Sequence, residues 1–534
     1  MINKEIPKIN KFNTVNVTLG NLFYYLFWIL MLLVKGIGWY DGMPVYNICL
    51  LAGAFFIGMK ICLTEHSIAE WIFILVLSSL GIIAYFNSHE KGILLAILTL
   101  IGLKGISLRH LFKIGLVVWG GCFLIMTILG NFDLVLGSIM AHEKNGLGLV
   151  LRKSLGYTHP NVLHVSFAIL VAFILYLLTK KGLTKYILLM VGNIYIFLYS
   201  FSYTGFLFVS LLIFSDFYFT YRHKISKPER FILQCILPFC LVFSIVGPHV
   251  LDQDGALYRL IDKLMNVRFF ASRVVMDTNP LSLFGTELQL NGWALDSSYV
   301  NLLLTYGIVL FILFVLLFFA VVHSSLKRDD RKASALLISF LITGVMEPFL
   351  VNTAFKNLTW LFAGAWIFEV FFKKEALVNH PLWGRAILLL KQGNKLLAVP
   401  RISFDIRLLY PTWAKQRILY VLVAIIIGLA CGFFSYMCMP NPPEIYIGRQ
   451  NTDITSELDE YYIDTADLPV DFQGIIYAYQ DSDSPLYRLP DQALQFERLR
   501  KSISIGGGVL AVTLMIPVLL LPGGRLLHKR KKGQ

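Results

Sequence analysis

The sequence predicts an all-α polytopic membrane protein with about fourteen transmembrane helices, two long outer loops and a small extracytoplasmic segment near its C-terminus. Three observations carry that reading. First, 57% of the 534 residues are hydrophobic and only 15% are charged, far from the balance of a soluble chain. Second, the apolar residues gather in runs of about twenty, the length that spans a hydrocarbon core as a helix. Third, the positive charge is concentrated in alternate short connections, the pattern that orients helices in a membrane.

The expected spans, in order, lie near 19–38, 43–62, 70–86, 91–106, 111–129, 161–179, 185–201, 205–221, 231–249, 299–321, 333–350 and 358–372, then 417–437 and 503–521. No water reaches the bilayer core to satisfy backbone groups, so each run is read as a helix. The polar start MINKEIPKINKFNTVN reads as a cytoplasmic lead-in without a cleavage site. Counting from inside, the connections 103–113, 179–185, 221–230 and 325–332 fall in the cytoplasm, and each is rich in Lys and Arg. The outer turns "YDGMP" (40–44) and "NSHEKG" (87–92) are not. Both termini are then cytoplasmic in a multi-pass protein of the cell (plasma or inner) membrane.

Three segments divide the chain. Residues 1–372 form the polytopic body. Residues 373–416 are a linker carrying Lys373, Lys374, Arg385, Lys391, Lys395, Arg401 and Arg407, a composition suited to an anionic lipid surface. Residues 417–534 form a two-helix unit whose outer part, 438–501, is acidic. The loops 130–160 and 250–298 are too long to be turns.

The net charge of +14 belongs to the membrane pattern, and no nucleic-acid partner is expected. The seven cysteines lie in or beside apolar runs without CxxC spacing, so neither a disulfide framework nor a metal centre is expected. Walker A, GxGxxG, HExxH and Gly-x-Ser-x-Gly patterns are absent, which argues against a nucleotide-driven machine. The Gly506-Gly507-Gly508 run reads as helix packing.

Charge on the outer side is more informative. "RKSLGYTHPN" (152–161) sets Arg152, Lys153, His159 and Asn161 before a membrane helix. Thr158 or Asn161 could cap that helix and Pro160 start it, but an arginine at a membrane edge needs a partner, and a phosphate fits its fork. In "YRLIDKLMNVRFFASR" (258–273), read as one helix, Arg259, Asp262 and Lys263 share a face and Arg268 stands opposite. Arg268 either snorkels or binds an anion. Asp296, at the mouth of the tenth span, is either a helix cap or a reactive carboxylate. Glu347 is placed inside the eleventh span, where a carboxylate is expensive and functional or paired inward.

The order of these pieces resembles the Wzy-type polysaccharide polymerases, relatives of the O-antigen ligases. The matching stretches are "RKSLGYTHPN", "SFSYTG" (200–205), "NVRFFASR…PLSLFG" (266–285), "DSSYVNLLLTYG" (296–307) and "MEPFLVN" (346–352). The resemblance covers about residues 19–372. The family often has Ser-Arg-Thr where this chain has Ser202-Tyr203-Thr204, and the ligases often carry a histidine near the place of Asp296.

That resemblance implies a membrane glycosyltransferase that uses no cofactor. It would move a glycan from polyprenyl pyrophosphate onto a lipid-linked repeat unit at the outer face, without a metal. Arg152 and Arg268 would steady the departing pyrophosphate, and Asp296, His159 or Glu347 would take the acceptor's proton. Asn161, Tyr299 and Asn352 complete the expected substrate-binding set. The implied partners are the polyprenyl-linked oligosaccharide, membrane lipid, and the chain-length regulator and flippase of the same route. A ligase acting on another acceptor, or a precursor transporter or flippase, is the alternative. Residues 417–534 lie outside the resemblance.

Overall fold

The protein was analysed as a computed structural model. It describes residues 14–520 except 133, 136, 145–147, 352–355, 391–394, 401–415, 441–443, 449–461, 464–474 and 478–485. The elements in chain order are β1 (Thr14–Thr18), α1 (Leu19–Gly36), α2 (Pro44–Cys62), β2 (His66–Ser67), α3 (Ile68–Ser88), α4 (Gly92–Ile101) and α5 (Leu108–Asn131). They continue as β3 (Ile139–Lys144), β4 (Gly148–Lys153), α6 (Pro160–Leu177), α7 (Leu183–Ser200) and α8 (Tyr203–Tyr221). Next come α9 (Lys227–Gln234), α10 (Ile236–Leu241), α11 (Gly247–Val250), α12 (Ala256–Leu264), α13 (Arg268–Thr278), α14 (Ser298–Lys327) and α15 (Arg331–Thr343). The rest are α16 (Thr359–Trp366), α17 (Glu375–Val378), β5 (Ala386–Ile387), β6 (Leu396–Pro400), α18 (Gln416–Cys438), β7 (Ile445–Gly448), β8 (Tyr462–Ile463), β9 (Ile475–Tyr477), β10 (Leu486–Arg488) and α19 (Asp491–Leu520).

Among the described residues, nine helices are long and apolar enough to cross a membrane, counting Lys227–Val250 as one run through a π-turn at Val242–Val246. Leu51, Phe55 and Phe86 are mostly exposed on such helices, an arrangement that lipid tolerates and water does not.

The chain forms two compact units. The first comprises Met1–Phe132, Asn161–Phe197 and Ser202–Ile402, and the second Asp133–Pro160, Leu198–Phe201 and Ser403–Gln534. They do not coincide with the three segments read from the sequence. Within the first unit, helices are locked by buried ring N–H and O–H groups that reach carbonyls on other turns. Trp28 Nε1 donates to Leu111 O at 3.0 Å, Trp119 Nε1 to Ser166 O at 2.9 Å, and Tyr24 Oη to Thr99 O at 2.9 Å. In hydrocarbon such bonds satisfy groups that have no water to turn to.

Strands qualify the all-α expectation. In the first unit β1 pairs with β6 and β2 with β5, both antiparallel, so the described part of the linker folds back along the N-terminal ends of α1 and α3. In the second unit β3 and β4 make a hairpin, and a four-stranded sheet runs β8-β10-β7-β9. Ala141 and Leu151 of that hairpin share a core with Ile445, Leu489, Ala493 and Leu494. Helices α18 and α19 pack closely in the same unit, because a Cβ on Gly506 would stand 2.7 Å from Gly428 O. Close backbone approach of this kind is the use membrane helices make of glycine. Gly507 and Gly508 have open space instead.

Three expectations need correction. The segment 258–273 is two helices, α12 and α13, interrupted where Asn266 and Val267 take φ of 54° and 65°. Helix α15 stops at Thr343, so Glu347 lies in irregular chain beyond it and not within a helical span. Asp296 does not cap α14, whose cap position is Ser297.

Candidate active site

The site is built where four separate stretches of the first unit meet. Arg268 opens α13 directly after the left-handed pair Asn266 and Val267. That conformation is unusual for a β-branched residue and marks a held backbone. Two features hold it. Asp262 Oδ1 accepts from Phe270 N at 2.9 Å, filling one of the open N–H groups of the first turn. Phe269, 1% exposed, packs among Tyr258, Met265 and Phe243. Arg268 is therefore aimed by the break in the helix.

Its guanidinium lies between two carboxylates. Nε stands 2.6 Å from Asp296 Oδ2, and Nη2 stands 3.7 Å from Glu347 Oε1. Nη1 is buried and meets no hydrogen-bonding partner among the described residues. The side chains of Arg268 and Glu347 are 13% and 10% exposed, and that of Asp296 is 26% exposed. Water reaches Asp296 best.

Glu347 is fixed from two directions. Thr204 Oγ1 donates to its Oε1 at 2.5 Å. Ser298, the first residue of α14, donates its hydroxyl to Glu347 O and accepts from Leu350 N at 3.2 Å. Ser298 N also bonds Gly344 O at 2.8 Å. The start of α14 and the chain 344–350 thus form one hydrogen-bonded block, with Asp296 and Glu347 on it. Thr204 reaches it because Ser202 caps α8, accepting from Gly205 N at 3.2 Å. Gly205 lets α8 approach α6, since a Cβ there would stand 2.6 Å from the His164 side chain.

Behind the site, α14 is broken at Gly307, where φ is 85°. The stretch 282–285 docks on the break, with Ile308 N bonded to Ser282 O at 3.0 Å and Val309 N to Leu283 O at 3.2 Å. Gly285, at φ 92°, faces Gly307 so closely that a Cβ on either would meet backbone of the other segment. This is why "PLSLFG" and "LLLTYG" both end in glycine.

The other expected residues are placed differently. Tyr299 is fully buried and donates to Leu341 O at 2.6 Å, so its hydroxyl holds α14 to α15. Arg152 belongs to the second unit, on β4 opposite Met140, and its Nε donates to Ser200 O at 2.8 Å. His159 sits in the bend before α6 and Asn161 in its first turn. Asn352 lies outside the described residues.

Three residues at the site escaped the sequence reading. Thr204 stood in a quoted motif without a role, and Ser298 was a neighbour of Asp296. Lys356 is the third. It lies in the connection between α15 and α16, is 7% exposed, and has no hydrogen bond or ion pair among the described residues. Burial pulls its amine down to about 7, with Lys35 pushing the same way and Glu347 opposing. Its only sequence signal was a lysine alone in an apolar run.

Chemically, the block offers a guanidinium with a spare donor, two carboxylates in different settings and a hydroxyl. Such a set can hold an anion and accept a proton. Among the described residues no group of His, Cys, Asp and Glu is placed to hold a metal ion. No family model, curated protein or solved structure matches the chain.

Proposed function

We propose that the chain is a membrane glycosyltransferase that polymerises lipid-linked oligosaccharides. The observation that carries the reading is the meeting of Arg268 with Asp296, Glu347 and Thr204. These residues come from four stretches in which the sequence resembles the Wzy-type polymerases. In this reading the fourteen helices all cross, the termini are cytoplasmic and the site faces outward.

The reaction needs little acid assistance, because pyrophosphate leaves as a stable anion. The anomeric C–O bond to pyrophosphate breaks, and a new C–O bond forms to the acceptor hydroxyl. The electron pair stays with polyprenyl pyrophosphate, and the hydroxyl proton passes to a carboxylate. Arg268 steadies the departing charge through its free Nη1 and, as the carboxylates yield, its other N–H groups. Asp296 is held at 2.6 Å by Arg268, so its negative charge orients the guanidinium. Glu347, at the longer 3.7 Å, is the better placed proton acceptor. The sequence resemblance also implies His159 as a base and Arg152 as a phosphate cation, and both residues belong to the second unit.

The test is the glycan ladder formed by purified protein in vesicles supplied with lipid-linked repeat units. Polymer from wild type and loss in Glu347→Gln support the reading. Cells lacking the chain discriminate the alternatives. Repeat units stranded on the outer leaflet favour a polymerase, whereas stranding on the inner leaflet favours a flippase. Polymer that forms but stays on its lipid favours a ligase.

A further inference from the structure

A polar cavity of about 480 Å³ lies in the first unit at the end that carries the linker. The apolar run Thr359–Phe371 separates it from Lys356 and the site above. Lys60, Lys104 and Lys373 line it, together with His66, Glu65 and Glu70. Lys60 ends α2 only 2% exposed, and His66 is 1% exposed. A buried lysine near a membrane is costly and needs a reason.

The protein fills these groups incompletely. Lys60 Nζ donates to Asn21 Oδ1 at 2.7 Å and to Lys104 O at 2.8 Å. Lys104 Nζ donates to Glu65 O at 2.7 Å and Glu70 Oε2 at 2.5 Å. An ammonium has three donors, so each lysine keeps one in hand. Glu70 is already engaged, accepting from Ser67 N at 2.8 Å as well as from Lys104. His66 Nδ1 stands 3.4 Å from Glu70, while Nε2, buried, has no partner among the described residues. Lys373 is exposed and unpaired among the described residues. The lysines thus outnumber the two carboxylates, and donors of Lys60, Lys104 and Lys373 are left without acceptors among the described residues.

The rest of the wall decides what kind of anion fits. Phe368 and Phe372 line it too, so part of the wall beside the lysines is apolar. The far wall is the linker itself, held by pairing of His66 with Ile387 and Ser67 with Ala386. Ile68 N adds a bond to Arg385 O at 3.0 Å, and Leu390 N one to Cys62 O.

We infer that this cavity binds a phosphate group, carried by an anionic phospholipid headgroup or free in solution, and that the bound phosphate fastens the linker to the membrane body. Lys60 and Lys104 each supply their third donor, Lys373 closes from the linker, and the aromatic edge accommodates the glycerol end of a lipid.

The test uses full-length protein in phosphatidylcholine nanodiscs doped with phosphatidylglycerol. Native mass spectrometry counts retained phosphatidylglycerol, and thermal melting is followed in parallel against inorganic phosphate in lipid-neutral discs. Wild type is expected to retain phosphatidylglycerol over phosphatidylcholine. Lys373→Gln should lower retention about tenfold, the scale of one charged hydrogen bond, and Lys104→Gln should add to the loss. Lys374→Gln, which leaves the cavity untouched, should retain it fully. Retention unaffected by phosphate identifies the headgroup as the source. A melting shift with phosphate, abolished in Lys373→Gln and without lipid retention, identifies free phosphate. The inference fails if neither ligand binds, if Lys373→Gln binds like wild type, or if Lys374→Gln loses as much. Lys373 is exposed, so its variant decides the matter even where Lys104→Gln does not fold.

Discussion

At the scale of single residues, the strongest statement concerns Arg268. It touches Asp296 through Nε and approaches Glu347 through Nη2, a geometry that uses the planar fork. Lysine keeps the charge but loses the fork. Arg268→Lys is therefore expected to lower polymerisation nearly as far as Arg268→Ala. With charged hydrogen bonds worth roughly 1.5–3 kcal/mol each, losing two slows turnover about a hundredfold or more. A snorkelling arginine would tolerate lysine, so wild-type rates in Arg268→Lys would remove it from the mechanism. The carboxylates separate in the same assay. Glu347→Gln should abolish turnover with the protein still folded, and Asp296→Asn should slow it while loosening Arg268. The reverse order would make Asp296 the base.

Lys356 supports a prediction on stability. Its amine falls to about 7 on folding from the ordinary 10.5, so the unfolded chain binds more protons between those values. Stability from this residue therefore rises as pH climbs from 7 toward 10.5, and below 7 the full cost of burying the charge is present. Lys356→Met should raise the melting temperature most at pH 6, by an amount equivalent to a few kcal/mol, and the gain should shrink toward pH 10. A gain independent of pH would show that the amine is solvated.

At the scale of elements, backbone conformation sets the site more than side-chain choice does. Gly285 and Gly307, both at positive φ, meet face to face. Ala at either adds a Cβ where backbone already stands and imposes a strained φ. Gly307→Ala and Gly285→Ala are each expected to destabilise by about 1–3 kcal/mol, measured by melting in detergent, and to lower activity by displacing the start of α14. Val267, at φ 65°, is the opposite case. Val267→Gly should fold at least as stably, and unchanged activity would show that strain there is only structural. The sequence showed the helical period of 258–273 but not its interruption, because no glycine or proline marks 265–267. Packing of Phe269 against Phe243, distant in the chain, and the Asp262 bond to Phe270 outweigh local propensity there.

At the scale of the whole molecule, topology and the terminal segment can be tested. Cysteines introduced at 40–44, 87–92 and 252–254 should be labelled from outside intact cells, and those at 373–390 should not. Labelling of the linker from outside would overturn the span count and the outward site together. Deletion of 417–534 takes Ile445, Leu489, Ala493 and Leu494 from the core that buries Ala141 and Leu151. It also removes Arg500, which bonds Leu151 O at 2.6 Å, and Glu497, the partner of Lys153 at 2.8 Å. Loss of polymer altogether is expected, and a truncated protein that merely alters chain length would show that the hairpin folds without that core.

The sequence alone was enough to expect a mostly helical membrane protein, because hydrocarbon allows few options. Apolar runs of the right length are read as helices, and nine helices long and apolar enough to cross stand among the described residues. It also isolated Arg268, Asp296 and Glu347, since charge beside apolar helices is expensive enough to stand out. Only the tertiary structure decided that these three belong together, that Thr204 and Lys356 join them, and that Tyr299 is a strut. Those facts depend on where helices stop or break: α15 ends at Thr343, α12 ends before Met265, and α14 is broken at Gly307. Helix ends are set by contacts among residues far apart in the chain, and a periodic pattern carries no record of such contacts.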